Sequence, residues 1–304
     1  MNLFDKFVTE ALKNQTHLSP LRSVVEKELL HHDILRVMRD YNFFTNLTFI
    51  GGTCLRLCYG GVRLSEDLDF TGGTNFSRKQ LSEMGKVITK SLHNKYSLRV
   101  IVSEPVKDKQ NVDTWKIKIE TRPEAKNLPN QRINIDICTI PSYERLPMML
   151  LNPYGVDMGT SGLIIQAQSR EEIYADKLIA FALRPNRLKY RDIWDILWLH
   201  NKGLEPRVAL IPRKLKDRNC IKEHFFKLFS ERSLLLKEDP KIRLEFKQEM
   251  LRFLPPEQIH STLEQHDLWG FIVHLIGDLK KQISKSMETP MKLASEGVSH
   301  AKAS

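Results

Sequence analysis

The sequence predicts an α/β domain built on a mixed sheet over residues 1–160, then an all-helical domain over residues 161–285. Residues 286–304 form a terminal segment without fixed structure. Three observations carry this prediction. In the first half, short apolar runs alternate in steps of two between glycine turns. From about residue 165 apolar residues recur at helical spacing. The last stretch, METPMKLASEGVSHAKAS, has no apolar period.

In chain order, HLSPLRSVVEKELLHHDILRVMRDY reads as a long amphipathic helix. Ser19 is its N-cap, Pro20 suits its first turn, and Val25, Leu29, Ile34, Leu35 and Met38 form one apolar stripe. NLTFIGG is a short strand ending in a glycine turn, TCLRLCYGG a short helix, and EDLDFTGG a second strand. SRKQLSEMGKVITKSLHNKY is a helix capped by Ser77. LRVIVSE, DTWKIKIET and RINIDICTI are strands, the second alternating Trp115, Ile117 and Ile119 with Lys116, Lys118 and Glu120. SREEIYADKLIAFALR opens with Ser169 and has Glu172 three residues on, the pattern of a capping box. RDIWDILWLHNKG, NCIKEHFFKLFSERSLLL, DPKIRLEFKQEMLRFL and STLEQHDLWGFIVHLIGDLKKQISK carry the helical period onward.

Composition narrows the function class. With 304 residues and 41% hydrophobic content the chain is an ordinary globular protein. No apolar run reaches the ~18 residues that a membrane span needs. MNLFDKFVTEALKNQ lacks the apolar core of a secretion signal, so a cytoplasmic location is expected. Cys54, Cys58, Cys138 and Cys220 are too few for a disulfide framework. Cys54 and Cys58 stand one helical turn apart with no further ligands at zinc spacing, and read as buried helical cysteines. The formal net charge of +10 fits a basic surface and, more sharply, a polyanionic partner.

Asp67 and Asp69 are the feature that chemistry must explain. On a strand, residues two apart face the same way, so these carboxylates lie side by side while Leu68 and Phe70 point into a core. Taken alone, the pair also fits an edge strand with two solvated acids. Its context argues for more. Neighbouring carboxylates repel unless a cation intervenes, and paired oxygen ligands suit Mg²⁺ or Mn²⁺ bridged to phosphate. The Gly51-Gly52 turn lets a ligand approach the backbone ahead of a helix N-terminus, and Thr53 adds a hydroxyl. Asp136, set among Ile133, Ile135, Ile137 and Cys138, shares its strand face with Asn134 and can meet the pair as metal ligand or proton acceptor.

GGT, RLSEDLDF and the acidic INIDI strand resemble the nucleotidyltransferase superfamily typified by DNA polymerase beta. FIGGTCLRLCYGGVRLSEDLDF, then ADKLIAF, then RDIWDIL, resemble more narrowly the AbiEii/MenT nucleotidyltransferase toxins of bacterial toxin–antitoxin and phage-defence systems. The resemblance spans about residues 45–200. It implies a nucleotidyltransferase fold for the α/β domain, with Mg²⁺ or Mn²⁺ on Asp67, Asp69 and Asp136 and NTP as co-substrate. Gly52, Thr53, Lys177 and Arg184 then steady the triphosphate, and Asp192 completes the site. Asp195 instead orients Arg191 or Lys177. Alone, Lys177 reads as a helical lysine with its stem packed down, and acids near a helix start are favoured without any function. Arg187 and Lys189, in the basic loop RPNRLKYRD, are expected to touch RNA backbone. The family implies transfer of a nucleoside monophosphate to RNA at the tRNA 3′ end, a block of translation, and a cognate antitoxin. Three rivals stand beside this: a small-molecule nucleotidyltransferase, a kinase-like phosphotransferase toxin, and a non-catalytic nucleic-acid-binding module. The basic charge disfavours the first, and intact Asp67, Asp69 and Lys177 disfavour the last.

Overall fold

Alternating strands, once formed, must bury one face, and here seven of them share a single mixed sheet. The computed structural model describes residues 2–105, 111–124 and 129–288. The strands are β1 (Thr48–Ile50), β2 (Leu68–Thr71), β3 (Arg99–Ser103), β4 (Val112–Glu120), β5 (Gln131–Cys138), β6 (Arg145–Met149) and β7 (Ile164–Gln168). Their order is β3-β4-β5-β2-β1-β7-β6, with β2–β5 and β1–β7 parallel and the other neighbours antiparallel.

The period-two pattern decides which face is which. Ile133, Ile135 and Ile137 of β5, Trp115 and Ile117 of β4, and Leu68 of β2 are buried on one side. Phe49 and Phe70, paired across β1 and β2, stack there with ring centroids 5.1 Å apart. Helices α1 (Leu3–Asn14), α2 (Arg22–Asp40) and α4 (Met84–Tyr96) build the layer on that side. The opposite side carries Asp69 and Asp136 and stays open towards α3 (Gly51–Tyr59), α5 (Arg170–Leu183) and α6 (Tyr190–Asn201). The chain then continues through α7 (Ile211–Asp217), α8 (Lys222–Glu238), α9 (Pro240–Met250), α10 (Pro256–Gln258) and α11 (Leu268–Glu288).

Several local expectations change. The long helix starts at Arg22, because Thr16–Leu21 forms a 3₁₀ turn containing Pro20. Ser19 caps nothing: its hydroxyl donates to the Thr16 carbonyl at 2.7 Å. The expected apolar stripe of α2 is buried, but so are Glu26, Glu28, His31, His32 and Asp33, so the helix is enclosed nearly all round. Ser77 likewise precedes a 3₁₀ turn, Arg78–Leu81, and makes no side-chain cap, so α4 begins only at Met84. Ser169 does cap α5, accepting from Glu172 N at 3.1 Å. The Glu172 carboxylate does not close a capping box, since it accepts from Tyr143 N and Glu144 N and pairs with Lys214.

β6 and β7 were not expected, and they carry the sheet to Gln168, past the anticipated start of the helical part. Their residues, Arg145–Met149 with Pro147 and Ile164–Gln168, are short and lack clean alternation. All four cysteines are free, with Cys54 and Cys58 buried as expected. Among the described residues, no helix is long and apolar enough to cross a membrane. The expected unstructured segment falls mostly on residues 289–304, outside the described residues, while α11 runs on to Glu288.

Candidate active site

Strand register brings the acids together. Asp69 of β2 lies directly beside Asp136 of β5 in the parallel pair, and Ile50, the last residue of β1, lies opposite Asp69. Asp67 stands just before β2, and its Oδ1 accepts from Asn134 N at 3.1 Å. Thr114 of β4 donates its hydroxyl to Asp136 Oδ1 at 2.6 Å, and Asp136 lines the cleft. A cavity of about 280 Å³ joins all three aspartates to Gly52, Lys177, Arg184, Lys189 and Asp192.

Burial, then the neighbouring Asp136 charge, pushes the Asp69 carboxyl up to about 6, although Lys189 and Lys177 oppose the shift. Burial also raises Asp136, with Asp67 adding to it and the Thr114 hydrogen bond working against it. Three crowded acids with two raised proton affinities are a site short of positive charge. All their donors are hard oxygens, the set preferred by Mg²⁺ and Mn²⁺. Among the described residues no three His, Cys, Asp or Glu side chains stand ready to hold an ion unaided. The donor chemistry of the three aspartates fits a hard divalent ion that keeps part of its shell for other oxygens, as Mg²⁺ commonly does.

The far wall is a buried chain of alternating charges. Arg63 grips Asp195 through Nε to Oδ1 at 2.7 Å and Nη2 to Oδ2 at 2.8 Å. Lys177 Nζ lies 2.7 Å from Asp195 Oδ2 and 2.7 Å from Asp192 Oδ1. Arg184 Nε meets Asp192 Oδ2 at 2.5 Å. Burial alone would raise both carboxyls. Lys177 and Arg184 override it at Asp192, and Arg63 and Lys177 at Asp195, so both are held below the usual carboxylate range. Desolvation would lower Lys177, but Asp192 and Asp195 keep it raised and charged. Three cations against two anions leave this wall net positive, facing the aspartates across the cavity.

Arg63 is the residue that sequence reasoning missed. An arginine after two glycines carries no signal of burial, yet it is 5% exposed. Its loop is anchored from α2, where buried Glu28 accepts from Ser65 N at 2.8 Å and from Arg56 Nε at 3.1 Å. Asp195 does not pair with Arg191, as helical spacing suggested. Arg191 turns instead to Glu66 at 3.4 Å and Glu249 at 3.2 Å.

The two glycines also gain a reason. Gly51 has φ +79°, and a Cβ there would lie 2.6 Å from Asp69 Oδ2. A Cβ on Gly52 would lie 2.1 Å from Arg63 Nη2. Gly52→Ala is therefore expected to dislodge Arg63 from Asp195 and cost about 2–4 kcal/mol, read as a lower urea midpoint. An unchanged midpoint would mean that the guanidinium relocates freely.

The remaining candidates divide. Thr53 is fully buried and does not line the cavity. Its hydroxyl donates to the Asp67 carbonyl and lies 2.7 Å from Ser65 Oγ, bracing the strand that holds the acids. Lys189 turns into the cavity, where burial and the nearby Arg184 and Arg191 lower its proton affinity. Arg187 is exposed and outside the cavity.

A family model described as nucleotidyl transferase AbiEii toxin, of a type IV toxin–antitoxin system, matches residues 33–269. No curated protein matches the chain significantly. Among solved structures the chain is similar in fold to MenT4, a nucleotidyltransferase toxin from Mycobacterium tuberculosis H37Rv. That match has a TM-score of 0.58 and 14% identity, and covers 92% of each chain. It also matches JHP933 from Helicobacter pylori, with a TM-score of 0.46 and 19% identity over 87% of this chain and 93% of that one.

Proposed function

From the premise that this chain belongs to the AbiEii nucleotidyltransferase toxin family of type IV toxin–antitoxin systems, we propose that it transfers a nucleoside monophosphate from an NTP to an RNA acceptor. The acceptor in this reading is the 3′ end of tRNA, and the consequence is a block of translation that a cognate antitoxin relieves. One observation carries the reaction type: Asp69 and Asp136 on adjacent strands, with Asp67 just before the first, face a net-positive wall across a cavity of about 280 Å³. That is a place for a polyphosphate between a cation-seeking floor and fixed positive charge.

The residues divide the work. Lys177, Arg184 and Lys189 draw the triphosphate to the positive wall, and Gly52 lets it approach the start of α3. Asp192 and Asp195 act through the cations, holding Lys177 in place and charged. Asp67 and Asp69 are the ligands for Mg²⁺ or Mn²⁺, which when bound neutralises phosphate charge. The attacking hydroxyl oxygen forms a bond to the α-phosphorus, the bond to the bridging oxygen breaks, and pyrophosphate leaves. Asp136, with its Oδ1 held by Thr114 and its proton affinity raised by burial, accepts the hydroxyl proton. Positioning and charge neutralisation supply most of the catalysis.

The test is direct. Purified protein is incubated with total RNA, Mg²⁺ and each NTP in turn, labelled on the α-phosphate. Label in the tRNA band is the expected result. A parallel set labelled on the γ-phosphate tests the rival: label only there would make the chain a phosphotransferase, and no labelled RNA from any NTP would sink the reading.

A further inference from the structure

The sheet face that carries Asp136 continues outward from the cavity. Along the β4–β5 ladder, Thr114 lies opposite Asp136, Lys116 opposite Asn134 and Lys118 opposite Arg132. These pairs are two residues apart and share one face, so Arg132 stands about 13 Å along the strand from Asp136. Lys116, Lys118 and Arg132 are all exposed. Lys118 and Arg132 are like charges directly opposed, an arrangement that weakens a sheet. Two of the acids nearby are already engaged: Glu66 holds Lys27 at 2.5 Å and Arg191, and Glu26 holds Arg22 and Arg122, while Glu120 stands opposite Arg99 in the strand register. Among the described residues no salt bridge reaches Lys116, Lys118 or Arg132.

A groove of about 550 Å³ runs beside this ladder, where the cations Lys27, Lys118, Arg122, Arg132 and Arg252 outnumber the acids Glu66 and Glu120. Glu66 lines the same groove, follows directly before Asp67, and binds Arg191, which lines the catalytic cavity. The Glu66–Arg191 pair and the chain step from Glu66 to Asp67 thus connect groove and cavity.

We propose that the Lys116–Lys118–Arg132 ladder and its groove are the track along which the acceptor RNA strand lays its phosphate backbone, its 3′ end directed at Asp136. This rests on the transfer reading above. The geometry favours a nucleic-acid strand over the NTP or a protein. The ladder is too far from the cavity for a triphosphate already served by Lys177, Arg184 and Lys189. Its cations also follow one line that ends on the catalytic carboxylate, so an occupant presents its terminus, as an acceptor must. Self-repelling cations are kept at a cost that a polyanion relieves.

The experiment compares the wild-type chain with a Lys118→Ala/Arg132→Ala variant. Affinity is measured against salt for RNA of about eight nucleotides, which spans the track, and of about two, which does not. For the longer strand, affinity is expected to fall about tenfold and the salt slope to flatten by about 1.4, at ~0.7 per lost contact. The shorter strand should be bound equally by both proteins. The variant's melting temperature should hold or rise, since the opposed charges are gone. Unchanged affinity and slope would overturn the proposal. So would an equal loss for NTP, or a loss of binding to the purified cognate antitoxin with RNA affinity intact. Wild-type protein that labels no RNA would remove the transfer reading and this one with it. Labelling by the wild type together with normal RNA binding by the variant would remove this one alone.

Discussion

Asp69→Asn is expected to lower nucleotide transfer by about 10³-fold, roughly 4 kcal/mol of transition-state stabilisation. The change keeps the shape of the side chain and removes the charge at the position where β2 meets Asp136 in register. The same variant is expected to be at least as stable as the parent in the absence of metal. The wild-type carboxyl ionises at about 6 in the folded chain against 3.8 for an ordinary aspartate. Between those values the unfolded chain has released its proton and the folded chain has not. Wild-type stability therefore falls as pH rises from about 4 to about 6, and the deficit persists above that. Asparagine has no such deficit, so its advantage should reach about 1–3 kcal/mol near pH 7.5 and vanish below pH 4. Activity assays beside urea titrations at both pH values check this. Transfer within tenfold of wild type would remove Asp69 from the reaction, and a large loss of stability at pH 7.5 would mean that its charge is compensated.

Arg63→Ala should produce the largest loss of stability, about 3–5 kcal/mol, because it leaves Asp195 buried with one cation in place of two. Arg63→Lys should recover only part of it, since an ammonium cannot grip both carboxylate oxygens as the guanidinium does. The pH dependence runs opposite to that of Asp69. Burial pushes Asp195 up, but Arg63 and Lys177 bring it below the usual range, so its contribution is present above about pH 4 and lost on acidification. The difference between wild type and Arg63→Ala should therefore be widest near neutrality and narrow below pH 4. Urea unfolding at pH 7 and pH 3.5 measures it. A deficit that does not change with pH would mean that lost packing, rather than lost charge, is responsible.

What could be read in the sequence was whatever depends on short range. β4 and β5 were legible because apolar and polar residues alternate from Trp115 to Glu120 and from Arg132 to Ile137, and that alternation also set Asp136 on the face opposite its isoleucines. The Asp67-Asp69 pair was legible because two-residue spacing alone fixes a shared face. Partners far apart in the chain were not legible. Nothing near Arg63 announces Asp195, which lies 132 residues later. Nothing in the middle of α2 marks Glu28 as the acid that anchors the Ser65 amide. β7 is recognisable only once β1 offers it an edge to join. Ser19 and Ser77 show the limit of local rules from the other side, as good capping residues placed inside one 3₁₀ turn and just before another, where neither makes a side-chain cap. Arg187 and Lys189, two residues apart in one basic loop, separate because one stays in solvent while the other turns into the cavity.

The parallel pairing of β1 with β7 also bears on how the chain comes off the ribosome. At ~5–20 residues per second, roughly 5–20 s pass between the making of Asp67 and the making of Lys177. Through that interval one side of β1 has no neighbour, and Arg63 waits for a counter-ion that is not yet synthesised. The nascent chain thus carries Asp67, Asp69 and Asp136 well before Lys177 and Arg184. A product truncated before β7 holds Asp67, Asp69, Asp136 and Arg63 yet lacks Lys177 and Arg184, two of the three cations of the wall. Interrupted synthesis therefore leaves fragments without Lys177, Arg184 and Lys189, and the cavity is complete only once α5 and α6 have been made.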